Sequence, residues 1–217
     1  RGLDFKNKVV AISGSGNVAQ YAVEKVNQMG GKLISQSASG ATIVDEEGID
    51  PRKLDFVLEL KNVKRGRIKE YADKYNKVLC VEGKNIWEAV KDQGIKIDIA
   101  LPCATQNEID GACAQAMVKN GCICVSEGAN MPSNPDAVKI FQDNKVLYGP
   151  GKAANAGGVA TSGLEMSQNS MKLSWTREEV DARLLLIMKS IHKACVETAE
   201  AYGRKGDYVA GANIAGF

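Results

Sequence analysis

The first thirty residues constrain this chain more than any other stretch. An apolar run, Val9-Val10-Ala11-Ile12, leads into Ser13-Gly14-Ser15-Gly16-Asn17-Val18-Ala19, and a helical pattern follows from Asn17 to about Met29. The order reads as strand, tight turn, helix. A dinucleotide-binding turn needs a first glycine for the bend and a second where backbone meets pyrophosphate. It also needs a small third residue that lets helix and strand pack closely. Gly14, Gly16 and Ala19 occupy those places. The helix would aim its free N–H groups and the positive end of its dipole at the anion. A lone GxGxxA string also closes ordinary turns, so the preceding strand and the following amphipathic helix give it its weight.

In an NAD-binding fold an acidic residue at the end of the second strand, about 20 positions on, holds the ribose 2′-hydroxyl. Here the second strand reads as Lys32 to Ser37 and ends in Ser37-Ala38-Ser39-Gly40, with no acid. Short hydroxyls tolerate a 2′-phosphate that a carboxylate would repel. Farther on, Lys61, Lys64, Arg65 and Arg67 form a basic run. Such a run either supplies countercharge to that phosphate or is a solvated helix face.

Beyond the turn, short apolar segments at residues 9–13, 33–37, 78–81, 97–101, 123–126 and 146–148 alternate with longer helical patterns. That is the βαβ rhythm of a parallel sheet, and runs such as Ile97-Asp98-Ile99-Ala100-Leu101 suit strands covered on both faces. The expected fold is α/β, a Rossmann-type, doubly wound, mainly parallel sheet with helices on both faces, in one domain over residues 1–217. Thr42–Glu47 reads as a small extra strand and turn. Helix starts are marked by capping-box pairs at Thr105 with Glu108 and at Thr176 with Glu179, and by proline after Asn134. After the sixth strand, Gly149-Pro150-Gly151-Lys152 opens a glycine-rich loop through Gly157-Gly158 into two long helices, the second running from about Thr176 to Tyr202.

At 217 residues and net charge +2, with 25% charged residues dispersed along it, the chain offers no nucleic-acid or membrane surface, which points to a small-molecule partner. No run approaches the roughly 20 apolar residues of a membrane span. Arg1-Gly2-Leu3-Asp4 lacks the apolar segment of a signal peptide. Six cysteines without a CxxC pair suggest buried thiols rather than zinc, in a reducing compartment: the cytoplasm first, an organelle matrix second. His192, the single histidine, falls on a helix edge with no clustered partner and reads as structural.

Ligands of open parallel sheets bind beyond the carboxyl ends of the strands. The loops there are Leu101-Pro102-Cys103-Ala104-Thr105-Gln106-Asn107, Glu127-Gly128-Ala129-Asn130-Met131-Pro132 and Gly149 to Gly158. The amides of Gln106, Asn107, Asn130 and Asn155 offer both donor and acceptor, as a nicotinamide carboxamide requires. No His–carboxylate, Cys–His or Ser–Lys set occurs at a recognisable spacing, and Lys152 reads as a positioning or exposed residue rather than a proton carrier.

The strings Gly14-Ser15-Gly16-Asn17-Val18-Ala19-Gln20, Leu101 to Asn107, Glu127 to Pro132, Gly151-Lys152-Ala153-Ala154-Asn155-Ala156-Gly157-Gly158-Val159, Ser162-Gly163-Leu164-Glu165-Met166 and Ala212-Asn213-Ile214-Ala215-Gly216-Phe217 closely resemble the hexameric glutamate dehydrogenases. The resemblance runs along the whole chain and covers that family's coenzyme-binding domain. The catalytic lysine and aspartate belong to a separate N-terminal domain, and no residue here matches them. By resemblance, Gly14, Ser15, Gly16, Asn17 and Val18 hold the pyrophosphate. Ala104, Thr105, Gln106, Asn130 and Asn155 line the side running from adenosine ribose to nicotinamide, while Val159 and Ser162 touch substrate. Ser37, Lys61 and Lys64 match positions that bind the 2′-phosphate of NADP, although Ala38 stands where many members have aspartate, so NAD stays open. The implied reaction is reversible oxidative deamination of L-glutamate to 2-oxoglutarate and ammonia by hydride transfer, in a homohexamer when full length. The alternatives are a leucine-, phenylalanine- or valine-type dehydrogenase, and a nucleotide-binding module that has no turnover as an isolated chain.

Overall fold

The computed structural model describes residues 4–217; the start of the segment read above for a signal peptide, residues 1–3, lies outside the described residues. The chain divides into two compact units, one ending at Tyr148 and one comprising Gly149–Phe217. Among the described residues, no helix is long and apolar enough to cross a membrane.

The first unit is built on β1 (Val9–Ile12), whose Val10, Ala11 and Ile12 are fully buried. Removing such side chains from water stabilises the fold by about 1.5–3 kcal/mol for each of the larger ones. Helix α1 (Asn17–Gln28) follows and buries Ala19, Val23 and Val26 at helical spacing. The main sheet contains β1, β2 (Lys32–Leu33), β6 (Ile99–Leu101), β7 (Cys124–Ser126) and β8 (Leu147–Gly149). Its order is β2-β1-β6-β7-β8, and β1 pairs parallel with both β2 and β6. Helices flank this sheet, as expected of the α/β class. The chain leaves β1 toward β2 on one side and returns to β6 on the other, so the switch in strand order opens a crevice at the carboxyl ends of β1 and β6.

Two sequence expectations fail here for one physical reason. The second strand does not run unbroken from Lys32 to Ser37, and the segment at 78–81 does not join the parallel sheet. Leu33 ends β2; Ser35–Ala38 forms β3, which pairs antiparallel with β4 (Ala41–Asp45), itself antiparallel to β5 (Val78–Glu82). Ile34 is the pivot: its N–H donates to the Val10 carbonyl in the main sheet, and its own carbonyl accepts from Asp45 N–H in the second. The Ser35 hydroxyl then replaces the next ladder bonds, accepting from Ile12 N–H at 2.9 Å and donating to Ile12 O at 3.0 Å. That substitution frees the backbone of Ser35–Ala38 to pair elsewhere. The small extra strand read at Thr42–Glu47 is β4.

Around the second sheet lie α2 (Pro51–Leu58), which runs straight into a π-helical turn at Glu59–Val63, and α3 (Lys69–Lys74). Helices α4 (Ile86–Gln93), α5 (Gly111–Lys119) and α6 (Pro135–Asp143) complete the first unit. Proline follows the Asn134 cap of α6 as read from sequence. The Thr105–Glu108 pair does not start a helix: Asp110 caps α5, and the Glu108 carboxylate is engaged elsewhere. A full capping box stands instead at Asn85 and Glu88.

In the second unit, the stretch read as a glycine-rich loop is largely helical. It contains α7 (Gly151–Ala154) and the first turn of α8 (Gly157–Met171). Gly157, in the first turn of α8, faces Leu184 and Met188. Helix α9 (Arg177–Ala201) carries the expected Thr176–Glu179 capping box, and α10 (Tyr208–Ala215) packs against it.

Candidate functional site

The turn after β1 is a cradle that only glycine can form. Gly14 has φ +86°, and a Cβ there would lie 3.1 Å from the Cys103 carbonyl oxygen and 3.3 Å from Ala104 Cα. Its N–H donates to the Ser37 hydroxyl at 2.7 Å, and Ser37 N–H donates back to Gly14 O at 3.1 Å. Gly16 is the N-cap of α1, is exposed, and has open space where a side chain would go. No side chain caps α1. The first-turn N–H groups therefore face an open position, the arrangement that binds anions. Asn17 and Val18 are exposed on that first turn, whereas Ser15 is buried and Ala19 is sealed in the core.

The loops after β6 and β7 close on the same crevice. Gly128 and Ala129 both donate to Pro102 O at 2.9 Å, and Asn107 N–H donates to Met131 O at 3.0 Å. A Cβ on Gly128 would meet the Cys103 sulfur at 2.6 Å and Val18 Cγ1 at 3.2 Å, so the two loops and the start of α1 are in contact. Ala104, Thr105, Gln106 and Asn130 lie exposed along these loops. The structure thus gathers Gly14, Ser15, Gly16, Asn17, Val18, Ser37, Ala104, Thr105, Gln106 and Asn130 around one strand-end crevice. Asn155, Val159 and Ser162 belong to the second unit: Asn155 caps the C-terminus of α7, and Val159 and Ser162 lie exposed on α8. Lys152 bonds Asn213 in that unit.

Ser13, the last residue before the turn, ties the crevice together. Its hydroxyl accepts from Cys103 N–H at 2.8 Å and Ala104 N–H at 3.2 Å, and donates to Glu108 Oε1 at 2.8 Å. Glu108 also accepts from Trp87 Nε1 at 2.9 Å and from Ala104 N–H at 3.2 Å. Burial holds this carboxyl above its ordinary value, against the lowering effect of its donors. Burial also pushes the Cys103 thiol up to about 12, so it stays protonated and unreactive at neutral pH. Glu127 is buried too, accepting from Tyr148 OH and from Ser133 N–H, which anchors the β7 loop.

Beyond the end of β2 a second feature opens. The β3–β4 turn and the segment after the π-helix enclose a cleft of ≈ 540 Å³. Its walls include Ser39 and Gly40 on one side and Lys61, Arg65, Arg67 and Lys69 on the other. Glu82, ion-paired with Lys69, is its single acid. The cleft lies where a dinucleotide fold places the ribose 2′ position. Of the residues expected there, Lys61 lines it with its ammonium on Gly66 O at 3.0 Å. Lys64 does not line it: its ammonium pairs with Glu59 at 2.8 Å. The Ser37 hydroxyl accepts from the Gly14 turn, and Ser39 takes the place at the cleft. Arg65 and Arg67, read in the same basic run as candidate countercharge, line the cleft in the segment after the π-turn. Glu108 was legible merely as a capping residue, because its partners lie far off in sequence.

The family model described as Glutamate/Leucine/Phenylalanine/Valine dehydrogenase matches residues 1–217. A glutamate dehydrogenase of Bacteroides thetaiotaomicron is 59% identical over 221 aligned residues, covering 100% of this chain and 47% of that protein. An NAD(P)-specific glutamate dehydrogenase of Xylanibacter ruminicola is 58% identical, with the same coverage. Among solved structures, Plasmodium falciparum glutamate dehydrogenase matches with a TM-score of 0.90 and 45% identity, over 96% of this chain and 44% of that one. The chain spans about half the length of the curated relatives it matches.

Proposed function

The chain belongs to the Glutamate/Leucine/Phenylalanine/Valine dehydrogenase family, and on that premise we propose that it is the coenzyme-binding part of a glutamate dehydrogenase that uses NADP. The observation that carries the coenzyme reading is the glycine cradle at Gly14, set at the switch point of the parallel sheet beside a cationic cleft. The cradle passes a test of fit: Gly14 holds the tight bend at φ +86°, the space over Gly16 is open, and the start of α1 carries no side-chain cap. In this reading Gly14, Ser15, Gly16, Asn17 and Val18 hold the pyrophosphate through backbone N–H groups. Lys61, with Arg65 and Arg67, neutralises a 2′-phosphate. Ala104, Thr105, Gln106 and Asn130 line the path from ribose to nicotinamide, and the resemblance assigns Asn155 a coenzyme contact and Val159 and Ser162 a substrate contact.

When bound, the coenzyme supplies hydride acceptance at its nicotinamide ring. This chain's residues bind it, orient one ring face and help exclude water. The reaction proposed for the whole protein is reversible oxidative deamination of L-glutamate to 2-oxoglutarate and ammonia, in a homohexamer. NAD is the second coenzyme, in keeping with the relative named for both. The cytoplasm is the proposed site of action. The test is an absorbance assay at 340 nm on the full-length protein, with L-glutamate, L-leucine and L-phenylalanine each offered with NADP⁺. Turnover with glutamate alone supports the reading. Turnover only with an apolar amino acid overturns the substrate, and none with any of them overturns the enzyme.

A further inference from the structure

A reciprocal pair of amides joins the cationic wall of the cleft to the pyrophosphate cradle. Gln20, on α1, is buried, and its Nε2 donates both to Ser15 O in the cradle at 2.8 Å and to Asn62 Oδ1 at 3.1 Å. Asn62 Nδ2 returns a bond to Gln20 Oε1 at 3.1 Å. Asn62 sits in the π-helical turn between Leu60, which packs in the core, and the chain that forms the wall. That turn is tightly held. Lys64 N–H closes the wide π-helical ring on Glu59 O at 3.0 Å, Gly66 N–H bonds Leu60 O at 2.8 Å, and Arg65 is kept at φ +53°. Gly66 lies against the Leu60 and Glu70 side chains, which pack over the end of the turn. Single π-turns inside helices concentrate at functional sites, and a left-handed arginine persists only where its surroundings over-determine it.

We propose that the reciprocal Gln20–Asn62 amide pair is a positioning clasp that fixes the cationic wall at the distance from the pyrophosphate cradle at which it can contact a 2′-phosphate. It thereby sets discrimination between NADPH and NADH without touching either. The inference rests on the coenzyme reading above. Its logic is geometric. The 2′-phosphate and the pyrophosphate of one coenzyme hang from a single ribose, which limits their separation, so their two receptors bind best when held in register, and amide hydrogen bonds across that span do so with no charge that would compete for the anion. Nothing in the basic run itself marks Asn62, an exposed polar residue whose amide reaches the buried Gln20.

The test is calorimetric titration of the chain with NADPH and NADH, before and after Asn62→Ala. Asn62 lies at the surface, so the variant keeps its core, and an unchanged thermal midpoint checks this. The expected result is at least a fivefold loss of NADPH affinity with NADH affinity altered less than twofold. Gln20→Ala, which also releases Ser15, is expected to weaken both coenzymes. If the wild-type chain prefers NADPH and Asn62→Ala prefers it equally, the clasp is refuted while the coenzyme reading stands. If Asn62→Ala weakens both coenzymes alike, the pair serves the cradle alone and the discrimination role is refuted. A wild-type chain that binds neither coenzyme overturns the coenzyme reading and the clasp with it, and one that binds both equally overturns the NADP preference and the clasp while the coenzyme site stands.

Discussion

Replacing Glu108 by leucine keeps most of the side-chain volume and removes the acceptor at which three donors meet. The donors are the Ser13 hydroxyl at 2.8 Å, Trp87 Nε1 at 2.9 Å and Ala104 N–H at 3.2 Å. Ala104 is exposed, so its N–H rehydrates, and the Ser13 hydroxyl can rotate. Trp87 is fully buried and has no water to turn to. A stranded buried donor costs about 1–3 kcal/mol, and a hydrogen bond to a charged acceptor contributes about 1.5–3 kcal/mol. The expected loss for Glu108→Leu is about 3 kcal/mol, a drop of roughly 6–12 °C in Tm for a chain of this size. Glu108→Gln retains an acceptor and is expected to lose about 1 kcal/mol. The pH dependence follows from burial, which raises this carboxyl above its ordinary 4.5. The folded state then keeps the proton to higher pH than the unfolded chain does. Its contribution to stability is full below the ordinary value and is lost as pH rises through the raised one, by about 1.36 kcal/mol for each unit of displacement. Urea unfolding followed by tryptophan fluorescence measures all three proteins. The stability of wild type relative to Glu108→Gln should be greatest near pH 4 and decline across the window above 4.5. A Glu108→Leu protein within about 0.5 kcal/mol of wild type refutes the brace. A wild-type advantage that grows with pH refutes the burial argument.

Gly14→Ala places a Cβ 3.1 Å from the Cys103 carbonyl at φ +86°. A left-handed residue costs about 1–2 kcal/mol, and coenzyme affinity is expected to fall more than tenfold by calorimetry. Gly211→Ala puts a Cβ 2.1 Å from the Cys195 carbonyl oxygen, backbone that cannot yield unless α9 and α10 part. A loss of about 3 kcal/mol in chemical denaturation is expected, in line with overpacking. Thr176→Ala removes the cap that accepts from Glu179 N–H, and should cost about 1 kcal/mol by the same assay, with frayed exchange confined to the start of α9.

What could be read from sequence was local. The Val9–Ile12 run, the glycines at 14 and 16 and the periodicity of α1 lie within one strand-turn-helix, and the caps at Asn134 and Thr176 are fixed by residues three apart. Misreadings came where a side chain bonded across the chain. Ser35 bonds Ile12, 23 residues away, and so ends a strand that its own apolar pattern would continue. Glu108 bonds Ser13, 95 residues away, which takes it out of the capping role its spacing suggests. The glycine run at 157–158 reads as loop by propensity yet lies in the first turn of α8, which packs against Leu184 and Met188, a contact made far along the chain. The basic run was visible, but which of its cations reach the cleft depends on the π-turn and on the Glu59 pairing of Lys64, neither of which has a sequence signature.

The most direct test of the coenzyme site is an amide chemical-shift titration of the isotopically labelled chain with NADPH. The largest shifts are expected at Gly14 to Val18, Ala104 and Thr105, with a second group at Ser39 and Lys61 to Arg67 that fades when NADH is used instead. Saturable binding whose largest shifts fall outside the strand-end crevice, or no binding at all, would contradict the site.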